Sequence, residues 1–166
     1  MIRPATKEDI VSIMQMTKAC AQYLSSQGIF QWNEHYPNQA VFKQDLKRKE
    51  LYVLEIENQV VGSICISTLM DEEYFDINWL TENQDNCYIH RLAVHPKYQG
   101  QNHARKFMDY AENKAKDQGL ISIRLDTFSQ NKRNQKFYEL RGYVKLDEIY
   151  FPKQSEHPFY CYELIL

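Results

Sequence analysis

Glycine and proline are scarce in this 166-residue sequence, with five residues of each, and no segment repeats or has low complexity. A repeat architecture is therefore excluded. Long apolar runs are also absent, because none approaches the roughly 20 residues that a membrane-spanning helix needs. No block of lysine and arginine and no basic amphipathic helix stands out, so we expect neither nucleic acid nor a membrane as a partner.

Cysteine is limited to four residues, Cys20, Cys65, Cys87 and Cys161, which are far apart in the sequence. Three of them lie inside apolar runs typical of strands, and none has the close Cys or His neighbours of a zinc site. We predict buried, reduced thiols and no metal, as is usual in a cytoplasmic protein. The first residues also lack a signal-peptide pattern, which again favours the cytoplasm.

Neither sign of charge is in excess, since twenty basic and twenty-two acidic side chains give a net charge of −2. The length is that of one domain, and a chain of this size buries roughly 70% of its unfolded surface. We therefore expect a single domain over residues 1–166, with a core that needs no disulfides.

Residues 87–119 organise the rest of the sequence. They begin with a largely apolar run that Pro96 stops, so we predict a buried strand up to Val94. The apolar residues that recur after it with helical spacing are Ala104, Phe107, Met108, Ala111 and Ala115. These residues predict a helix, and Gly119 is placed to end it.

The polar loop between this strand and this helix predicts an anion site. The first N–H groups of a helix have no intrahelical acceptor and lie at the positive end of the helix dipole. Backbone donors would therefore bind a pyrophosphate here, with Lys97, Arg105 and Lys106 available for its remaining charge.

Hydrophobic periodicity predicts the remaining elements. They are an edge strand at residues 1–5, helices at 6–27 and 40–49, a hairpin at 51–56 and 60–69, a strand at 121–128, a helix at 131–141, and a last antiparallel pair at 143–151 and 159–166. Residues 71–86 are acidic and aperiodic, and we expect a surface excursion there. Residues 29–38 contain Phe30, Trp32 and Tyr36, which either line a pocket or anchor the loop on the core.

Two segments resemble motifs of the GNAT family of acetyl-CoA-dependent N-acetyltransferases. Gln99-Gly100-Gln101-Asn102-His103-Ala104 is similar to the family loop (Arg/Gln)-x-x-Gly-x-(Gly/Ala), with Asn102 at a glycine position. Residues 131–143, NKRNQKFYELRGY, resemble Asn-x-x-Ala-x-x-Phe-Tyr-x-x-x-Gly-(Phe/Tyr), with Asn134 at the alanine position. Asparagine is the residue other than glycine that best tolerates a positive φ, so the turn of the first motif stays accessible.

The resemblance implies a fold and a cofactor. The fold is an α/β fold with a mixed, largely antiparallel twisted sheet and helices on both faces, and the co-substrate is acetyl-CoA. In the family, a bulge in the strand corresponding to residues 89–94 frees backbone N–H groups for the pantetheine arm and the carbonyl. The residues implied in cofactor binding are Leu92, Ala93, Val94, Gln99, Gly100, Gln101, Asn102, His103, Ala104, Arg105 and Asn131.

The resemblance also implies catalytic residues, because acyl transfer from a thioester to an amine needs a base for the amine proton and an acid for the thiolate. Tyr138 matches the tyrosine thought to protonate the departing thiolate. His90 occupies the strand position where some members carry a glutamate base, and a wall histidine held neutral by burial is the alternative. We expect Arg91 to face the opposite side of the strand, and His95 and His103 to lie in solvent.

Acceptor contacts are implied between the first two helices, where Trp32, Glu34 and Tyr36 would bind a cationic amine. The expected reaction is acetylation of a primary amine, on a small molecule or a peptide N-terminus, by direct attack in a ternary complex. An acyl-cysteine route is disfavoured because no His/Asp set is spaced to activate Cys87.

Two other classes of function are weighed against this one. A non-catalytic acyl-CoA-binding sensor or interaction module would keep residues 99–104 but would not depend on Tyr138. A nucleotide-binding protein is disfavoured because the sequence has no Gly-Lys-(Ser/Thr) signature. The sequence leaves open the acceptor, the acyl length and the oligomeric state, a homodimer included.

Overall fold

The computed structural model describes residues 1–166 and contains seven strands and four α-helices. The elements are β1 (Ile2–Pro4), α1 (Asp9–Ser26), α2 (Gln39–Lys47), β2 (Leu51–Ile56), β3 (Gln59–Ser67), β4 (Asn86–Val94), α3 (His103–Asp117), β5 (Ser122–Phe128), α4 (Lys132–Leu140), β6 (Val144–Ile149) and β7 (Phe159–Ile165). Short 3₁₀ turns occur at Glu72–Tyr74 and Pro96–Tyr98. None of the helices has both the length and the hydropathy that crossing a bilayer requires.

The strands form one sheet in the order β1-β2-β3-β4-β5-β7-β6. The pairs β1–β2, β2–β3, β5–β7 and β6–β7 are antiparallel, whereas β4–β5 is parallel. This sheet with its flanking helices confirms the predicted mixed α/β class. The chain divides into two compact units, Met1–Ile66 with His90–Ala111 and Ser67–Ile89 with Glu112–Leu166.

The first unit is built around the hairpin β2–β3 and helix α1. Glu57 and Asn58, which connect the two strands, both have positive φ (48° and 62°), as in the turns that favour tight hairpins. The core consists of Ile10, Ile13, Met16, Cys20, Trp32, Phe42, Leu51, Val53 and Ala93. Gly62 allows α3 to approach β3, because a Cβ at this position would lie only 2.6 Å from the Phe107 ring.

The second unit is built around β5, which pairs with β4 on one side and with β7 on the other. Arg124 of β5 and Glu163 of β7 are completely buried and form an ion pair, with 3.0 Å between Nε and Oε1. Such a pair is tolerated in a core only when its remaining donors find acceptors. Asn83 Oδ1 and the Thr81 carbonyl supply two of them, each 2.7 Å from a guanidinium nitrogen.

The prediction that residues 71–86 form a surface loop was wrong in part. Tyr74 is fully buried, and its hydroxyl donates to Asp126 Oδ2 at 2.5 Å. The indole ring of Trp79 lies 4.6 Å from the guanidinium carbon of Arg124. The segment is polar because it provides hydrogen-bond partners to a buried arginine, and this cause is invisible in the local sequence.

All four cysteines are buried free thiols, as predicted. Burial raises the pKa of each thiol, to about 12 for Cys20 and Cys87. These side chains are accordingly protonated near neutral pH.

Candidate active site

The loop that follows β4 is held by its own polar side chains. His95 Nδ1 accepts a hydrogen bond from the Lys97 N–H at 3.2 Å. Gln99 Nε2 donates to the Val94 carbonyl at 3.0 Å, so this side chain ties the loop to the end of the strand. The loop thus has a fixed path into helix α3.

Two residues of this loop adopt left-handed backbone conformations, Gly100 with φ 78° and Asn102 with φ 64°. Asn102 therefore forms the turn that a glycine makes in the family motif. A Cβ on Gly100 would meet no atom within 4 Å, so the backbone faces open space there. The first backbone bond of the helix runs from the Lys106 N–H to the Asn102 carbonyl at 3.1 Å. The N–H groups of the three preceding residues have no intrahelical acceptor and can bind an anion.

The placement of His103 in solvent was wrong. Its side chain is only 7% exposed, and neither ring nitrogen has a hydrogen-bond partner. The position lies four residues before Phe107 and eight before Ala111, both fully buried, so it belongs to the inner face of α3. Burial and the nearby charge of Lys106 lower the pKa of this imidazole. The predicted apolar stripe began one residue too late because histidine reads as polar.

The basic side chains of this region are on the surface. Lys97, Arg105 and Lys106 are exposed, and Ala104 is half-buried. The three basic side chains are therefore accessible to a phosphate in solution, as the sequence predicts. The N-terminus of the helix supplies neutral donors.

Strand β4 is distorted near its middle. Its register with β5 runs from Asn86 opposite Ser122 to Ile89 opposite Leu125. Two residues later, Arg91 has φ 51°, a left-handed conformation typical of a bulged strand. The irregularity lies within residues 89–94, where the family resemblance implies one.

His90 precedes this distortion and is half-buried. Burial, together with the charge of the neighbouring Arg91, lowers the pKa of its imidazole to about 3. The side chain is therefore neutral at pH 7, which is the state that a base requires and also the state of the alternative wall histidine. The role of His90 as base remains a prediction.

Tyr138 lies on α4 and is buried. Its ring packs against Phe137, Tyr143 and Tyr162, with centroid distances of 5.2, 5.8 and 6.2 Å. Its hydroxyl makes no hydrogen bond to the protein. Burial and the charge of Asp126 raise its pKa, so it stays protonated and can act as a donor.

Asn131 is the N-cap of the same helix. Its Oδ1 accepts a hydrogen bond from the Asn134 N–H at 3.1 Å, and its side chain is buried. The side-chain oxygen therefore stabilises the start of α4, a structural role that is independent of the predicted contact with the cofactor.

The three residues predicted to contact the acceptor have different environments. Trp32 belongs to the core of the first unit. Glu34 is exposed, and its Oε1 lies 3.4 Å from Nε2 of His35. Tyr36 is half-buried against the core, and its hydroxyl accepts a hydrogen bond from Arg91 Nη1 at 3.1 Å. Trp32 and Tyr36 thus anchor the loop, while Phe30 is largely exposed.

Sequence reasoning missed the partner of Arg91. Its guanidinium binds both carboxylate oxygens of Asp45, with Nε–Oδ2 at 3.0 Å and Nη2–Oδ1 at 2.7 Å. Asp45 lies on α2 three residues after the buried Phe42, on its inner face. A carboxylate on the apolar face of a helix was the signal that a buried cation lies opposite.

Comparison with known proteins agrees with the motifs. The model of the acetyltransferase (GNAT) family matches residues 13–143. The uncharacterized N-acetyltransferase YesJ of Bacillus subtilis is 22% identical over 142 residues, covering 84% of this chain and 79% of that protein. A GNAT-family acetyltransferase from Streptococcus agalactiae superposes with a TM-score of 0.81 at 22% identity, over all of this chain and 95% of the other.

A further structural neighbour is the PaiA N-acetyltransferase of Thermoplasma acidophilum, which was crystallised in complex with coenzyme A. Its TM-score is 0.76 at 16% identity, over all of this chain and 98% of the other. At these identities the two structures establish the likeness of the fold.

Proposed function

We propose, because this chain belongs to the GNAT family of acetyltransferases, that it transfers the acetyl group of acetyl-CoA to the primary amine of a small molecule or a peptide N-terminus. The whole chain, residues 1–166, would form one such domain. In the proposed reaction the amine nitrogen attacks the thioester carbon directly, so a C–N bond forms and the C–S bond breaks. The amine loses a proton and the departing thiolate gains one.

The observation that carries this proposal is the backbone of the loop before α3. Asn102 takes the left-handed conformation expected of a glycine, and the N–H groups of the first helical turn have no intrahelical acceptor. Residues 101–105 fit a pyrophosphate, and the exposed Lys97, Arg105 and Lys106 fit its charge. Acetyl-CoA would supply the activated acetyl group when bound at this loop.

Tyr138 is the proposed general acid. Its hydroxyl is protonated near neutral pH and is not engaged by another protein group. A donor of this kind can protonate a thiolate as it leaves. An acyl-cysteine intermediate is not part of the proposal, because burial raises the pKa of Cys87 to about 12 and leaves little thiolate to act as a nucleophile.

His90 is the proposed proton acceptor. A pKa of about 3 makes it a weak base, so it does not deprotonate a free alkylammonium, whose pKa lies near 10. It instead accepts the proton of the nitrogen after attack, when that nitrogen has become much more acidic. His90→Gln should lower kcat by about a hundredfold. Near-normal turnover with an unchanged pH–rate profile would remove His90 from the mechanism.

Cofactor binding is the first test. The purified protein is titrated with acetyl-CoA, CoA, dephospho-CoA and ATP while its thermal stability is measured. Acetyl-CoA and CoA should stabilise it selectively, by about 2.7 kcal/mol at a hundredfold excess over Kd. If neither shifts the melting temperature up to millimolar concentration, the loop does not bind the cofactor and the proposal loses its main support.

Turnover is the second test. Acetyl-CoA is mixed with a panel of amino acids, polyamines, aminoglycosides and peptides, and the release of free CoA thiol is followed. Tyr138→Phe should bind acetyl-CoA as the wild type does but release CoA at least a hundredfold more slowly. Tight binding of acetyl-CoA without amine-dependent release would instead favour a non-catalytic acyl-CoA sensor.

A further inference from the structure

We propose that Arg91 is a positioning residue that locks the segment of residues 29–38 and helix α2 onto the distorted part of β4, and thereby sets the affinity for the amine acceptor. The proposal rests on the proposed acetyltransferase function. It assigns to Arg91 no contact with the reacting atoms.

The geometry of the guanidinium is that of a clamp. Two of its nitrogens bind both oxygens of Asp45 at 3.0 and 2.7 Å, and the third donates to the Tyr36 hydroxyl at 3.1 Å. The Arg91 side chain is 11% exposed and that of Asp45 is 3% exposed. One residue of β4 thus joins α2 and the segment of residues 29–38 through three hydrogen bonds, two of them to a carboxylate.

This arrangement has two unfavourable contributions to the free energy of folding, and both involve Arg91. A bidentate ion pair withdrawn from water is no more stable than well-packed apolar side chains of the same size. Arg91 also adopts a left-handed conformation, which is unfavourable for a residue with a Cβ. Strained residues of this kind cluster at functional sites, and Arg91 directly follows the candidate base His90.

The surroundings of the pair call for a cation. The ligand atoms of Asp45, Glu50 and Cys65 all lie within 4.8 Å of one another. The Arg91 guanidinium takes both oxygens of Asp45 and so compensates the charge of this carboxylate.

The segment that the clamp holds is already a compact turn. Asn33 Oδ1 accepts hydrogen bonds from the N–H groups of His35 and Tyr36, at 2.8 and 3.0 Å. Asn38 then caps α2 by accepting from the Val41 N–H at 3.0 Å. Trp32 and the Tyr36 ring pack this turn on the core, and the Tyr36 hydroxyl adds a hydrogen bond that ties it to β4. In the proposal, this tie sets the exact position of exposed residues on the turn, such as Glu34, relative to β4.

Tyr36→Phe is the most selective test, because it keeps the ring and removes only the hydroxyl. We expect the acceptor KM to rise about tenfold, with the acetyl-CoA KM unchanged, for the best amine of the turnover panel. Tyr23→Phe is the matched control, since Tyr23 lies on α1 in the same unit and its hydroxyl has no protein partner. Equal changes in both KM values, or no change in either, would overturn the proposal.

The paired variant Arg91→Met with Asp45→Leu separates positioning from stability. Removing both charges leaves no unpaired carboxylate in the core, so the protein should fold with a melting temperature near that of the wild type. The acceptor KM should nevertheless rise at least tenfold. Arg91→Lys keeps the charge but loses the planar guanidinium. Its acceptor KM should lie between those of the wild type and the paired variant. A paired variant with wild-type acceptor KM contradicts the assignment.

Hydrogen–deuterium exchange tests the clamp without any acceptor. In Tyr36→Phe and in the paired variant, amides of residues 29–38 should exchange about tenfold faster, while those of α4 remain unchanged as an internal standard. Unchanged exchange in residues 29–38 would show that Arg91 does not hold the segment. If the wild type acetylates no amine in the panel, the proposed function fails, and the exchange data alone decide whether the clamp exists.

Discussion

At the scale of single residues, the buried imidazole of His103 offers a direct measurement. A polar group buried without a partner typically costs about 1–3 kcal/mol, and His103 has none for either nitrogen. His103→Leu should therefore raise the free energy of unfolding in urea by about that amount. The N–H of residue 103 remains, so CoA affinity measured by calorimetry should not change. Weaker CoA binding by the leucine variant would instead assign the imidazole to the phosphate site.

His90 and His103 also predict how stability depends on pH. The pKa of His90, about 3, and that of His103 are both lowered in the folded protein, so below pH 6.5 the unfolded chain binds more protons. Stability should be constant above pH 6.5 and fall from there to pH 5, by up to about 1.4 kcal/mol per pH unit for each histidine. Carboxylates such as Asp9 titrate below this window, because Arg3 lowers the pKa of Asp9.

Urea unfolding at pH 5.0, 5.5, 6.0, 6.5 and 7.5 measures this slope. His90→Gln should make this slope shallower, because the contribution of His90 is lost. His35→Gln is the matched control, since the His35 side chain is 80% exposed and should leave the slope unchanged. A wild-type stability that is flat from pH 7.5 to pH 5 would mean that neither histidine is held neutral.

At the scale of elements, the loop before α3 depends on the left-handed conformation of Asn102. A β-branched residue is strained at a φ of 64°, by about 1–2 kcal/mol, and the loop relieves that strain by changing its path. Asn102→Val should therefore weaken CoA binding about tenfold in calorimetry, whereas Asn102→Gly should bind at least as tightly as the wild type.

The matched substitution Asn113→Val is the control for this prediction. Residue 113 is exposed on α3, lies outside the loop and does not have a positive φ, so the same change of side chain should leave CoA affinity unchanged. Wild-type affinity in Asn102→Val would mean that the backbone of residue 102 does not shape the phosphate site.

The helices and strands were predictable wherever residues close together in the sequence determine them. Strands and helices with clear periodicity occur within a few residues of the predicted bounds, and Gly28, Gly119 and Gly142 follow the helices that they were expected to end, all with positive φ. Local sequence could not predict that Arg91 would turn towards α2. Strand alternation does not hold at a residue with a positive φ, and the partner of Arg91 is a carboxylate 46 positions away.

At the scale of the whole molecule, the second unit also depends on contacts between residues far apart in the sequence, which local sequence cannot predict. Arg124 joins Glu163, 39 residues later, and Asn83, 41 residues earlier. Each of these side chains alone resembles a surface residue, and only the sheet brings them into one buried network. The motifs of residues 99–104 and 131–143 were recognisable because they depend on backbone conformation and helix termini, which the sequence specifies locally. The acceptor contacts depend on packing between distant segments, so the sequence alone could not decide whether Trp32 lines a pocket or anchors its loop on the core.

The proposed mechanism also makes a prediction for the whole molecule. All four thiols are buried and protonated, and direct attack uses none of them. N-ethylmaleimide should therefore leave acetyl transfer unchanged under conditions that label four thiols in the unfolded chain. Initial rates measured against both substrates should give intersecting double-reciprocal lines, because both must be bound before the C–N bond forms. Parallel lines, together with loss of activity when a single thiol is modified, would indicate an acyl-cysteine intermediate and contradict the ternary complex.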